Sequence, residues 1–281
     1  MTTKSIVLVG SPDSGKSNFI GRLWLALQSR KFSLVPTHSP DDIKYVEGLT
    51  EHILQGRFAP RTEKEEDNRN FSISITAPSG ISANLIIPDV SGELWKKAVE
   101  TLEIPNQWMS ALKESSGALL FVRVLSDLNT QPLDWVNSKR LLECGLGDLE
   151  QNKELPTQVV LIELLRFLES SMVNVGGRKP KIAVIVSAWD KMSEDDASKG
   201  PVDYLQNQFP LFAGNILDTR TADVKVFGTS ILGGDFLDEV FRSEYLRSDL
   251  DEHGYVIVEE EGVWKQVNDI TIPITWLISH D

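Results

Sequence analysis

A short, wholly apolar run, Ile6-Val7-Leu8-Val9, breaks at Gly10, passes through Ser11-Pro12-Asp13-Ser14-Gly15-Lys16-Ser17, and leads at once into helical spacing, with Phe19, Ile20, Leu23, Trp24 and Leu27 on one side. The run reads as a buried strand, and a buried strand that turns straight into a helix calls for a sheet with helices on its faces. Gly10 to Ser17 completes the pattern Gly-x-x-x-x-Gly-Lys-Ser/Thr in its expected strand-loop-helix setting. Gly10 and Gly15 are expected to supply the backbone angles that turn successive N–H groups toward one point. The positive end of the helix adds to that nest. Phosphate is the ligand such a loop holds, with Ser14 and Asn18 in the same binding set, Lys16 reaching terminal phosphates and Ser17 reaching magnesium.

The rest of the chain supports that architecture. Phe71 to Ala77 alternates strictly, apolar residues against hydroxyls, as a strand with one face on the core does. Pro78-Ser79-Gly80 turns it into a second strand, Ala83 to Pro88, which predicts a short antiparallel hairpin at a sheet edge. Further buried strands are expected at Ala118 to Val124, Ile182 to Val186 and Val224 to Phe227, each separated by enough chain for a helical crossover. In Pro156 to Met172, Val160, Leu161, Leu164, Leu165 and Leu168 form one stripe while Glu163, Arg166 and Glu169 lie off it, so a helix is predicted there. The charged run Arg61 to Arg69 reads as a mobile surface loop. Tyr255 to Val258 and Val263 to Val267 read as a C-terminal hairpin, after which Ile270 to Ile278 packs back on the domain.

Composition removes several other classes. With 281 residues, 41% of them hydrophobic, the chain can bury a full-sized core. The net charge of -13 repels nucleic acid and anionic membrane in bulk, yet backbone amides and one lysine can still hold phosphate locally. A single cysteine, Cys144, excludes an intramolecular disulfide and a cysteine-based zinc site, and His38, His52, His253 and His280 lack metal-ligand spacing. No apolar run approaches the length of a membrane span, and the start of the chain lacks a signal-peptide core. A cytoplasmic protein without membrane insertion is expected.

Two later elements carry chemistry. The strand Leu85-Ile86-Ile87-Pro88 delivers Asp89, with Gly92 following. An acid there can hold magnesium, and the Gly92 amide can reach a terminal phosphate. Ser187-Ala188-Trp189-Asp190 closes another strand, and a carboxylate at such a strand end can accept both the ring N–H and the exocyclic amine of guanine. Val226 to Ser230 ends the last strand in a small polar loop.

The order of these motifs resembles the P-loop GTPases of the translation-factor and Ras-like (TRAFAC) class over residues 4 to 247, and more narrowly the double-GTPase domains of bacterial conflict and signalling systems. The resemblance implies an α/β three-layer sandwich: a Ras-like G domain over residues 1 to 247, mostly parallel with one antiparallel edge strand. Residues 248 to 281 are expected as a hairpin extension packed on the same domain. By position, Gly10 to Ser17 corresponds to the phosphate loop, Asp89 to Gly92 to switch II, Asp190 to the guanine-reading acid and Ser230 to the final base-binding loop. The implied ligands are GTP or GDP with Mg2+, and the implied activity is hydrolysis that drives a conformational switch toward protein partners or a homodimer.

The departures from the class pattern shape the remaining expectations. Ser187 and Ala188 replace the usual Asn/Thr and Lys of the guanine motif, with Lys191 only afterwards; Trp189 lies either over the base or in the core. For switch I, Thr62 is expected to close on magnesium, with Thr50 as the weaker choice. Arg61 or Arg57 is either an internal arginine finger or a solvated loop residue. Glu93 stands where many GTPases carry a water-orienting Gln; its carboxylate can orient water but repels the terminal phosphate, so slow turnover is expected. Asp13 occupies the position at which some relatives hold K+. Two alternatives stay open: a nucleotide-binding interaction module that scarcely hydrolyses its ligand, and a P-loop ATPase.

Overall fold

In the computed structural model, which describes residues 4–60, 71–87, 92–131, 155–172 and 177–279, strand β1 (Lys4–Gly10) lies inside a nine-stranded sheet. The other strands are β2 (Val35–Pro36), β3 (Phe71–Thr76), β4 (Ser82–Ile87), β5 (Gly117–Arg123), β6 (Lys181–Ser187), β7 (Asp223–Ser230), β8 (Tyr255–Glu260) and β9 (Val263–Val267). Their spatial order is β2-β3-β4-β1-β5-β6-β7-β8-β9. The centre, β4-β1-β5-β6-β7, is parallel. Two strands, β3 and β8, run against it, one on each side, where the sequence led us to expect one.

The central strands are apolar throughout because both faces are covered. In β1, Ile6 and Leu8 join one core while Val7 and Val9 join the other, and the same alternation sorts Leu119 and Phe121 from Leu120 and Val122 in β5. Helices α1 (Lys16–Ser29) and α2 (Ile43–Leu54) and the terminal helix Ile272–Ile278 cover the first face. Helices α3 (Glu93–Thr101), α4 (Asn106–Glu114) and α5 (Thr157–Ser171), with Pro201–Gln208 and Pro210–Asp218, cover the second. The whole predicted stripe of α5, Val160 to Leu168, is buried. On β3 and β4 the pattern is one-sided. Phe71, Ile73 and Ile75 are buried, and Ser74 Oγ donates to Asn84 Oδ1 at 2.8 Å on the opposite face.

The terminal hairpin continues the sheet, since β8 pairs with β7, Gly228 opposite Ile257. The chain between β7 and β8 is held by Arg22 of α1, fully buried, whose Nη2 donates to the carbonyls of Leu250 at 3.0 Å and His253 at 2.7 Å. The terminal helix buries Ile274, Leu277 and Ile278, and Lys4 Nζ donates to the Ile278 carbonyl at 2.8 Å. Among the described residues no helix is long and apolar enough to cross a membrane.

A tail that belongs to the core makes a direct prediction. Ile274→Ala, at a site with 0% exposure, lowers the unfolding free energy by about 2–5 kcal/mol in equilibrium denaturation. Val263→Ala, on the exposed side of the hairpin, stays within about 0.5 kcal/mol of wild type.

Candidate nucleotide-binding site

The apolar run of β1 ends where the chain leaves the sheet at Gly10, and the loop that follows contains two left-handed residues, Asp13 at φ 61° and Gly15 at φ 93°. The sequence expectation that Gly10 and Gly15 both supply unusual angles therefore holds for Gly15 alone. Gly10 is needed for room, since a Cβ there would stand 2.7 Å from Ser14 Oγ. Asp13 takes the second left-handed position, which a short polar side chain tolerates better than most. Gly15 is the N-cap of α1 and contributes no side-chain cap, so the first amides of the helix face the loop.

Lys16 opens α1 with its side chain buried inside the loop. Its ammonium donates to the carbonyls of Gly10 at 2.7 Å and Ser11 at 3.0 Å and to Ser14 Oγ at 3.3 Å. A buried charge is tolerable only where its hydrogens are accepted, and these three oxygens meet that need. Ser17 follows in the first helical turn, and Asn18 Oδ1 accepts the Ala59 amide at 2.9 Å, tying α1 to the chain before residue 61.

Gly92, the N-cap of α3, touches the same loop. It is left-handed at φ 83°, and a Cβ on it would stand 2.6 Å from the Gly10 carbonyl oxygen and 2.7 Å from Lys16 Nζ. Only glycine lets the chain approach so closely. Glu93 follows on the exposed side and, with Ser11, Pro12, Asp13 and Ser14, lines a cavity of about 270 Å³ on that flank of the loop.

The opposite flank is a cleft of about 210 Å³ with Gly15, Asn18, Ser187, Asp190 and Lys191 on its walls and Phe19, Phe58, Ile185 and Leu232 among its apolar lining. Ser187 Oγ donates to the Ser14 carbonyl at 2.8 Å, which fixes the end of β6 to the phosphate loop. Ala188, left-handed at φ 57°, then starts a single turn over Trp189–Lys191. Asp190 reaches the cleft and accepts a hydrogen bond from Ser230 Oγ, itself buried and accepting the Gly233 amide at 2.8 Å. Burial pushes the Asp190 carboxyl above the usual carboxylate range, with the Ser230 hydrogen bond acting in the other direction. Lys191 pairs with Asp235 at 3.2 Å.

Several expectations need correction or placement. Trp189 does not line the cleft: it is buried in the core, with the Tyr204 ring edge-on at 6.1 Å, because the turn at Ala188 sends neighbouring side chains opposite ways. The Asp13 carboxylate, a possible K+ ligand by its position, pairs with Arg123 and accepts a hydrogen bond from Ser126. Thr50 sits within α2 and donates to the Glu47 carbonyl at 2.8 Å, away from the cleft. Arg57 is exposed and donates to Gln55 Oε1. Arg61, Thr62 and Asp89 lie outside the described residues, as do Cys144 and the charged run after residue 60. The sequence reading missed Arg123 and Ser126, although one arginine ending an otherwise apolar parallel strand was a visible signal.

Among the described residues no group of three or more His, Cys, Asp and Glu could hold a metal. The Ser17 hydroxyl is a hard oxygen donor of the kind magnesium accepts beside phosphate. A strand, a glycine loop with an inward lysine, and an acid just past the end of β6, a parallel strand one removed from β1, together define a P-loop nucleotide-binding domain. The chain belongs to the Double-GTPase 1 family, whose model matches residues 7–277. No curated protein matches it. Similar solved structures include a bacterial selenocysteine-specific elongation factor, EF-Sec, at 14% identity and TM-score 0.39, over 88% of this chain and 29% of that one. The Saccharomyces cerevisiae Ski7 GTPase-like domain bound to GTP matches at 11% identity and TM-score 0.44, over 88% and 50%. The chain thus spans half or less of the length of either protein.

The strained acid gives a stability prediction. The raised folded-state pKa of Asp190 means that its ionised form costs folding energy, fully above that pKa and not at all below the unfolded value of about 3.9. Asp190→Asn therefore raises the thermal midpoint at neutral pH, and the gain disappears as pH falls through Asp190's raised pKa to the unfolded value.

Proposed function

We propose that the chain binds guanine nucleotide in the Asp190 cleft with Mg2+, hydrolyses GTP slowly, and works as a nucleotide-controlled conformational switch. One observation carries this reading: Gly15 and Asn18, on either side of Ser17 and the buried Lys16 of the phosphate loop, and the half-buried Asp190 just past β6 line the same cleft, and the Ser187–Ser14 hydrogen bond joins β6 to the loop. The carboxylate accepts the guanine ring N–H and exocyclic amine, a pair of donors adenine does not offer in that geometry. The Ser230 hydroxyl keeps Asp190 oriented for that task.

Loop amides and the Lys16 ammonium stabilise charge on the phosphates where it builds up, in a site whose groups are already in place. Ser17, together with Asp89 and Thr62, would hold magnesium, which neutralises phosphate oxygens. Glu93, at the start of α3 beside the loop, orients water while repelling the terminal phosphate, and Arg61 is a further cation for that charge. The repulsion by Glu93 favours slow turnover. Gly92 packs against the Lys16 ammonium, so loss of the terminal phosphate is felt directly by the start of α3, and a partner-binding surface changes with it.

The rival reading, a module that retains nucleotide without hydrolysis, is favoured by Glu93. Single-turnover phosphate release from GTP separates the two. The expected result is slow, magnesium-dependent release that falls at least tenfold in Lys16→Ala and is altered in Glu93→Ala. Tight GTP binding with no release supports the module instead, and equal competition by ATP returns the site to the ATPase class.

A further inference from the structure

The phosphate loop contains a carboxylate, and a fixed negative charge there opposes every phosphate the loop is built to hold. Asp13 is not left exposed to that conflict. Arg123, the last residue of β5, brings Nη1 to 2.7 Å from Asp13 Oδ1 and to 3.3 Å from the Asp13 carbonyl oxygen, and Ser126 Oγ donates to Oδ2 at 2.9 Å. Both carboxylate oxygens are thereby engaged, and the backbone they grip is the left-handed turn at φ 61°. The two side chains are 18% and 29% exposed, so the pair is shielded from solvent more than an ordinary surface ion pair. Asp13 and Arg123 also line the cavities on both flanks of the loop, the one with Asp190 and the one with Glu93.

We propose that Arg123 is a positioning residue for the phosphates: it cancels the Asp13 charge, holds the loop in its left-handed turn, and so sets the affinity for di- and triphosphates over the monophosphate. The proposal rests on the guanine-nucleotide reading above. A plain structural ion pair affects all ligands alike, whereas charge cancellation at the loop grows in importance with each added phosphate. It also makes Asp13 the reason that Arg123 is needed, so removing the carboxylate removes the need.

The test is equilibrium binding of GMP, GDP and GTP, with magnesium, to wild type, Arg123→Ala, Asp13→Asn and the double variant. Asparagine is chosen because it tolerates the left-handed conformation. Arg123→Ala is expected to weaken GTP about tenfold or more, GDP less and GMP least, in line with the loss of a charge-assisted hydrogen bond. The double variant is expected to recover to within about threefold of Asp13→Asn. Equal loss across the three ligands, no loss, or no recovery in the double variant overturns the proposal while the guanine reading stands. Wild type that binds none of the three overturns both.

Discussion

The structure depends on the contact between the phosphate loop and the ends of the strands around it. Lys16 is buried because its ammonium is received by the Gly10 and Ser11 carbonyls and by Ser14, and the loop keeps that shape because β5, β6 and α3 each press on it. β6 does so through Ser187, β5 through Arg123, and α3 through Gly92, which leaves no space for a side chain. Three separate parts of the chain therefore meet at one loop. On the proposed reading, an acidic protein recognises phosphate because the recognising field is local, loop amides and one lysine inside a chain of net charge -13.

The same dependence explains what the sequence made legible. The central strands could be read because burial on both faces demands unbroken apolar runs, and α5 could be read because its stripe and its charges separate at helical spacing. The loop was legible because backbone geometry restricts which residues it accepts, although the two left-handed positions proved to be Asp13 and Gly15. The antiparallel joining of β8 to β7 was not legible, since a hairpin shows its own pairing in sequence but not the strand it docks against. Trp189 could not be assigned for a related reason: one left-handed residue, Ala188, decides which way the turn faces, and nothing in alanine announces it. Arg123 acquires meaning only when β5 is set beside the loop, 110 residues away in sequence from Asp13.

The end of the chain shares in this arrangement. Arg22 on α1 holds the approach to β8, and the terminal helix closes the face of the sheet that α1 and α2 begin. α1 starts at the phosphate loop and ends among these contacts, so the loop, its helix and the tail are supported by one core. The half-buried acid at the far side of the cleft stands in the opposite relation to stability, since a carboxylate held above its usual pKa weakens the fold it sits in. Such a group is intelligible as part of a binding site and not as part of the scaffold.

The central claim is that this cleft reads guanine through Asp190. The most direct measurement is the equilibrium affinity of the magnesium-loaded protein for GDP against ADP, in wild type and in Asp190→Ala. The account predicts a preference for GDP of tenfold or more, about 1.4 kcal/mol, that is lost in the variant while affinity for ADP is retained. Equal affinity of the wild type for the two nucleotides would contradict it.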